Sequence, residues 1–304
     1  MAGRVGRRRS SFNSIALLML LPIGGFVLFL GYRFVRDAWR NRNAVIPSVS
    51  EGPGRSAAAA HQRPPRSLAT LGMTTPPQPA APKPHHGSIV LILDDVGFDH
   101  QPLASAMHID PNLNFSVLPN AARAQDFAET LHRNGFEVLC HLPMEPLDYP
   151  RQSPGANAVM TSMSDDEIAR TTRDDIAAVP HAAGVNNHMG SRATRDRRVM
   201  ESVLGALPKG MYFIDSRTGP GSVAEKIARE MKIPTASRQI FLDDVQREAA
   251  VRRQLDQLAA EAEKQGVAIG IGHMYDVTVR VLNDEVPNLR SRGFRLVRAS
   301  EAVD

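Results

Sequence analysis

From Ser88 onward, short apolar runs alternate with amphipathic stretches. Ile89–Leu93, Leu113–Leu118, Phe136–His141, Val185–Met189, Met211–Ile214, Val267–Ile271 and Phe294–Val297 read as buried strands. A weaker run lies near Ile233–Ala236 or Gln239–Leu242. Ser164-Asp165-Asp166-Glu167 is a capping box that predicts a helix to about Val179. Val245–Gln265 keeps helical periodicity until Gly266 stops it. Strands alternating with helices predict an α/β fold with a parallel sheet. Roughly eight strands in this span suit a (β/α) barrel, with a doubly wound open sheet as the runner-up.

The first 87 residues follow a different pattern. Ile15 to Tyr32 carry no charge, and at about 1.5 Å per residue they span close to the hydrocarbon thickness of about 30 Å. A cleaved signal peptide would need a shorter apolar core and an Ala-x-Ala-like site, whereas here the chain runs on into "RFVRDAWR". An uncleaved transmembrane helix is therefore expected, within a segment 1–42 that includes a basic cytoplasmic tail. Arginines flank it evenly and only Asp37 tips the balance, so charge alone does not set its orientation. Residues 43–87 are rich in Pro, Ala, Ser and Gly, a composition expected of a disordered linker that buries too little to offset ordering entropy. The globular domain is expected over 88–304. The implied location is the inner membrane, single-pass, with that domain in the periplasm.

Charge follows the same division. The whole chain of 304 residues has a formal charge of +4, yet from residue 88 onward 24 basic residues face 30 acidic ones. Binding along nucleic-acid phosphates needs a basic face, so nucleic acid is excluded as a partner. The single cysteine, Cys140, excludes an intramolecular disulfide and is expected in the core, where a thiol is inert.

Parallel α/β folds place their sites at the C-terminal strand ends. Those ends carry Asp94-Asp95, Asn120, His141 with Glu145 beyond it, Asn186-Asn187-His188, Asp215-Ser216-Arg217, Asp243-Asp244 and His273. Each alone has an ordinary explanation: Asp243/Asp244 read mainly as an N-cap of the following helix, and Asp215 as a cap or partner of Arg217. Three histidines and an acidic pair at one sheet edge point instead to a shared site, with the mixed nitrogen and oxygen ligands that suit Zn²⁺. Neighbours on a strand face opposite ways, so Asp94 and Asp95 act together only if the backbone bends, with Gly97 as the flexible exit. The prolines of "CHLPMEP" are expected to end the strand and turn the chain, letting His141 and Glu145 face one point. The loop 147–163 is a candidate lid.

The strings "LILDDVGFD", "FSVLPN", "CHLPMEP", "GVNNHMGSRAT", "YFIDSRT" and "IGIGH" resemble the divergent polysaccharide deacetylase family over essentially all of 88–304. That resemblance implies a deformed (β/α) barrel of the polysaccharide deacetylase type. It implies Asp94 as catalytic base, Asp95 as metal ligand, His141 as the first histidine ligand and His273 as general acid. Glu145 stands where the wider superfamily has a second histidine ligand, and His188 is the alternative supplier of that nitrogen. Asn120, Asn187, Asp215 and Arg217 are the candidate substrate-binding residues. The implied activity is removal of N-acetyl groups from an amino-sugar polymer such as a peptidoglycan-like glycan, with a divalent metal, Zn²⁺ by preference. The rivals are an inactive glycan-binding or envelope assembly protein and a metal-dependent phosphoesterase.

Overall fold

The computed structural model describes residues 86–304. The expected span at 15–32 and the linker through residue 85 lie outside the described residues, among which no helix is long and apolar enough to cross a membrane.

The first half of the domain runs β1 (Ser88–Val96), α1 (Leu103–Met107), β2 (Asn114–Val117), α2 (Ala124–Arg133), β3 (Glu137–Met144), α3 (Asp165–Ala178) and β4 (Ala182–Met189). Then come α4 (Arg197–Gly205), β5 (Tyr212–Asp215), α5 (Ala224–Glu230), β6 (Thr235–Ser237) and β7 (Ile240–Phe241). The domain closes with α6 (Glu248–Gln265), β8 (Val267–His273), α7 (Asp276–Ser291) and β9 (Arg295–Leu296). Both halves of the ambiguous run near 233–242 are strands. The Ser164 capping box forms as read, whereas α6 starts at Glu248, three residues later than expected.

Every strand pairing is parallel, in the order β6-β5-β4-β3-β2-β1-β8-β7 with β9 beside β1. That order is sequential around a ring, without the reversal of a doubly wound sheet. β6 and β7 end it and share no ladder, so the fold is a parallel-strand half-barrel open at one seam.

The period of two along each strand separates two apolar layers. Ile89, Leu91 and Leu93 join the outer layer under the helices, and Val90 and Ile92 join an inner one with Leu139, Tyr212, Ile214, Ile269 and Ile271. All five β1 side chains are fully buried, each contributing about 1.5–3 kcal/mol of transfer free energy. Cys140 lies in the outer layer, and burial pushes its thiol well above the usual range, with Asp175 adding to the effect.

One expectation is corrected at "CHLPMEP". β3 does not stop at His141 but runs through Pro143 to Met144, paired with β4 to the end. β2 pairs no further than Cys140, so the flank of Pro143 away from β4 is free of β2. Pro143 O accepts from Val159 N there at 2.8 Å. A residue's N–H and C=O leave a strand on the same side, so the missing N–H costs no ladder bond. The expected lid is tied at its far end, where Arg198 donates to Thr161 O at 2.8 Å and to Met163 O at 3.0 Å.

Candidate active site

The inner register that carries Val90 and Ile92 continues into Asp94. On neighbouring strands it reaches Ser116 (β2), His141 (β3), Asn186 and His188 (β4) and His273 (β8). Alternation alone would turn Asp95 away. Instead the β1–β2 register shifts between Leu93 and Val96, and Asp95 adopts a left-handed φ of 57°. Gln101 holds this bend: its Nε2 donates to Asp95 O at 2.7 Å and its Oε1 accepts from Gly97 N and Phe98 N. Gly97 has φ 126°, and a Cβ there would lie 2.8 Å from Ala121 Cβ, so the exit needs glycine.

The bend brings three donor atoms together. Asp95 Oδ1 lies 3.0 Å from His188 Nδ1 and 3.4 Å from His141 Nε2, and the two nitrogens are 3.3 Å apart. A tetrahedral cation with bonds of about 2.0–2.1 Å has ligand–ligand edges of about 3.3–3.4 Å. Among the described residues this trio forms the cluster with metal-ligating spacing. Asp95 Oδ1 is buried yet receives no well-directed hydrogen bond, the condition of an atom whose partner is a cation. Burial would raise the Asp95 pKa, but the approach of His141 and His188 holds it well below the carboxylate range. The residues fit a divalent metal.

Asp94 and His273 flank the trio. Asp94 is 2% exposed, takes a hydrogen bond from Asn186 Nδ2 at 2.9 Å on Oδ1, and places Oδ2 3.5 Å from His141 Nε2. Burial raises its pKa, and His141, His273 and Asn186 only partly offset that. His273 Nδ1 lies 2.9 Å from Asp243 Oδ1, which leaves Nε2 facing the site, 3.7 Å from Asp95 Oδ2. Burial works against the imidazolium, but the Asp243 hydrogen bond and charge prevail and raise the pKa to about 9.

Asp243 is therefore not the helix cap expected of it. Its Oδ2 accepts from His273 N at 2.7 Å and Thr278 Oγ1 at 2.6 Å. Sequence reasoning missed its function because the pairing with residue 273 is set by the β7–β8 contact. Asn186 stands among the strand-end residues of the sequence but was given no role there; its place in the inward register, two residues before His188, was the available signal.

Other candidates are placed elsewhere. On an extended strand Glu145 lies roughly 13 Å along from His141, at about 3.3 Å per residue. It is not brought to the trio. Its Oε2 accepts from Thr161 N at 2.7 Å and Thr161 Oγ1 at 2.6 Å, and its Oε1 pairs with Arg192 Nε at 3.3 Å. Asn187 is fully buried, tying Ser216 N (2.9 Å) to Met189 O (2.6 Å). Asp215 accepts from Arg217 N at 2.8 Å and Ser222 Oγ at 2.6 Å, so both serve the local turn. Asn120 donates to Ala156 O at 2.7 Å. Arg217 remains exposed on a left-handed backbone, φ 47°, held by Asp215 and by Arg238 Nη2 on its carbonyl at 2.7 Å.

The family model for divergent polysaccharide deacetylases matches residues 91–303. The chain belongs to this family. The uncharacterized protein YibQ of Escherichia coli is 36% identical over 219 residues, 72% of this chain and 68% of that one. An uncharacterized protein of Haemophilus influenzae is 34% identical over 203 residues, 66% and 71% of the two chains. The crystal structure of the uncharacterized protein ATU2773 from Agrobacterium tumefaciens superposes with a TM-score of 0.69 at 22% identity, over 73% of this chain and 91% of that one. It supports the half-barrel as the fold of this member of the family.

Proposed function

We propose that this protein is a metal-dependent N-deacetylase of an amino-sugar polymer in the cell envelope, held to the inner membrane by residues 15–32. The observation that carries the reading is the convergence of the buried Asp95 Oδ1 with two imidazole nitrogens, neither of which gives it a well-directed hydrogen bond, flanked by a carboxyl with a raised pKa and an imidazole with a raised pKa. Asp95, His141 and His188 would hold a divalent cation, Zn²⁺ by the chemistry of the donors. Such a cation acidifies water and polarises a carbonyl.

The chain's own groups supply the proton transfers. Asp94, anchored through Oδ1 by Asn186, presents Oδ2 to accept the proton of the attacking water. Its raised pKa brings it closer to the working pH of a general base. His273, kept protonated by Asp243, donates from Nε2 to the leaving amine. Asp243 fixes the ring with Nδ1 turned away, so the proton to be donated sits on the atom facing the site.

Acetate release from chitooligosaccharides and from peptidoglycan by the zinc-loaded protein tests this reading. Release by the wild type, abolished in Asp94→Asn, supports it. No release from either polymer with any divalent metal, alongside measurable glycan binding, would replace it with a non-catalytic glycan-binding function.

A further inference from the structure

We infer that Asn186 is a positioning residue that fixes the proton of His141 and the orientation of Asp94 with opposite ends of one carboxamide. Asn186 and Ser116 are both fully buried. Asn186 Oδ1 lies 2.8 Å from His141 Nδ1 and also accepts from Ser116 Oγ, while Nδ2 donates to Asp94 Oδ1 at 2.9 Å. The carboxamide thus reaches side chains on β1, β2 and β3 from β4.

The chemistry of the group forces the assignment. A carboxamide end that faces a carboxylate must be its NH₂, so the opposite end is the carbonyl and can only accept. The hydroxyl of Ser116 supplies one hydrogen to that oxygen. His141 Nδ1 must supply the other, which places a proton on Nδ1 and leaves Nε2, facing Asp95 and His188, as the ring atom available to a cation. Free imidazole has no such constraint. The amide dipole also places Asp94 Oδ1 in a fixed hydrogen bond, so that only Oδ2 faces the site. A residue of this kind sits behind a metal ligand and a catalytic group at once, and outer partners of ligating histidines are commonly worth 10–100-fold in metal affinity.

Aspartate at this position separates the two roles. It keeps an oxygen for His141 Nδ1–H but replaces the donor to Asp94 with a second acceptor. Histidine ring protons of the ¹⁵N-labelled, metal-free protein, zinc affinity by chelator competition, and acetate release are measured for the wild type, Asn186→Ala and Asn186→Asp. In the wild type an exchange-protected proton is expected on His141 Nδ1. It is lost in Asn186→Ala, where zinc affinity falls by about 10–100-fold. Asn186→Asp keeps the proton and recovers most of the affinity, yet its acetate release stays as low as that of the alanine variant. A role in packing alone predicts no such split, because a buried carboxylate beside Asp94 would then be no better than alanine. Should Asn186→Ala fail to fold, the isosteric Asn186→Asp carries the comparison with the wild type.

A His141 ring with no proton on Nδ1 in the wild type overturns the inference. So does unchanged zinc affinity in Asn186→Ala, or full acetate release by Asn186→Asp. The zinc and acetate arms rest on the proposed function and the ring-proton arm does not. A wild type that shows the Nδ1 proton, loses it in Asn186→Ala and binds no zinc leaves the inference standing and removes the metal-dependent reading.

Discussion

Asp175 offers a test of the electrostatics of this domain away from the site. It lies on α3 with 1% of its surface exposed, and its Oδ2 is buried without a hydrogen-bond partner. Burial, and secondarily the charge of Asp174, raises its pKa from 3.8 to about 7. The folded state therefore retains a proton that the unfolded chain releases, and stability is lost as pH rises from the unfolded value through the folded one. At about 1.4 kcal/mol per unit, the full penalty above neutrality has a ceiling of about 4 kcal/mol, of which about 2.5 kcal/mol develops between about pH 5 and pH 8. Asp175→Asn removes the charge and keeps the shape. Whatever the buried amide itself costs is the same at both pH values, so the difference between them isolates ionisation. Urea unfolding followed by far-UV circular dichroism should show the variant gaining about 2.5 kcal/mol on the wild type between the two conditions. A stability difference flat to within about 0.5 kcal/mol would refute the reasoning, because it would mean that the carboxylate finds water or a partner in the folded state.

Other expectations follow from single contacts. If His273 is the acid, activity in the wild type falls as pH rises through about 9; in Asp243→Asn the fall should move toward the ordinary imidazole value of about 6.5, read from the pH dependence of acetate release. Glu145→Ala should leave zinc affinity unchanged but lower stability by about 1–3 kcal/mol, because Thr161 N–H and Arg192 lose their acceptor; His188→Ala should show the reverse in chelator competition and urea titration. Gly184→Ala would place a Cβ 2.4 Å from the Tyr212 ring and should cost about 1–3 kcal/mol as overpacking, measured by thermal unfolding.

Alternating apolar runs and helical periods by themselves determined the parallel α/β architecture, because burial on both faces of a strand and along one stripe of a helix leaves a local signature. The rule that parallel α/β folds carry their sites at the C-terminal strand ends marked the Asp94-Asp95 pair, His141, His188 and His273 as candidates for one edge. Three decisions were tertiary. Asp95 joins the trio only because Gln101 and the close packing at Gly97 hold a left-handed bend, and Glu145 leaves it because β3 stays extended where β2 has already ended. Asp243 and Asn186 find His273 and His141 across 30 and 45 residues of chain. The Asp243 pairing carries no local trace, since a carboxylate after a strand satisfies a helix cap and a distant imidazole equally well; the inward register of Asn186 shows that it faces the barrel interior but not which imidazole it meets, and only the closing of the sheet decides both.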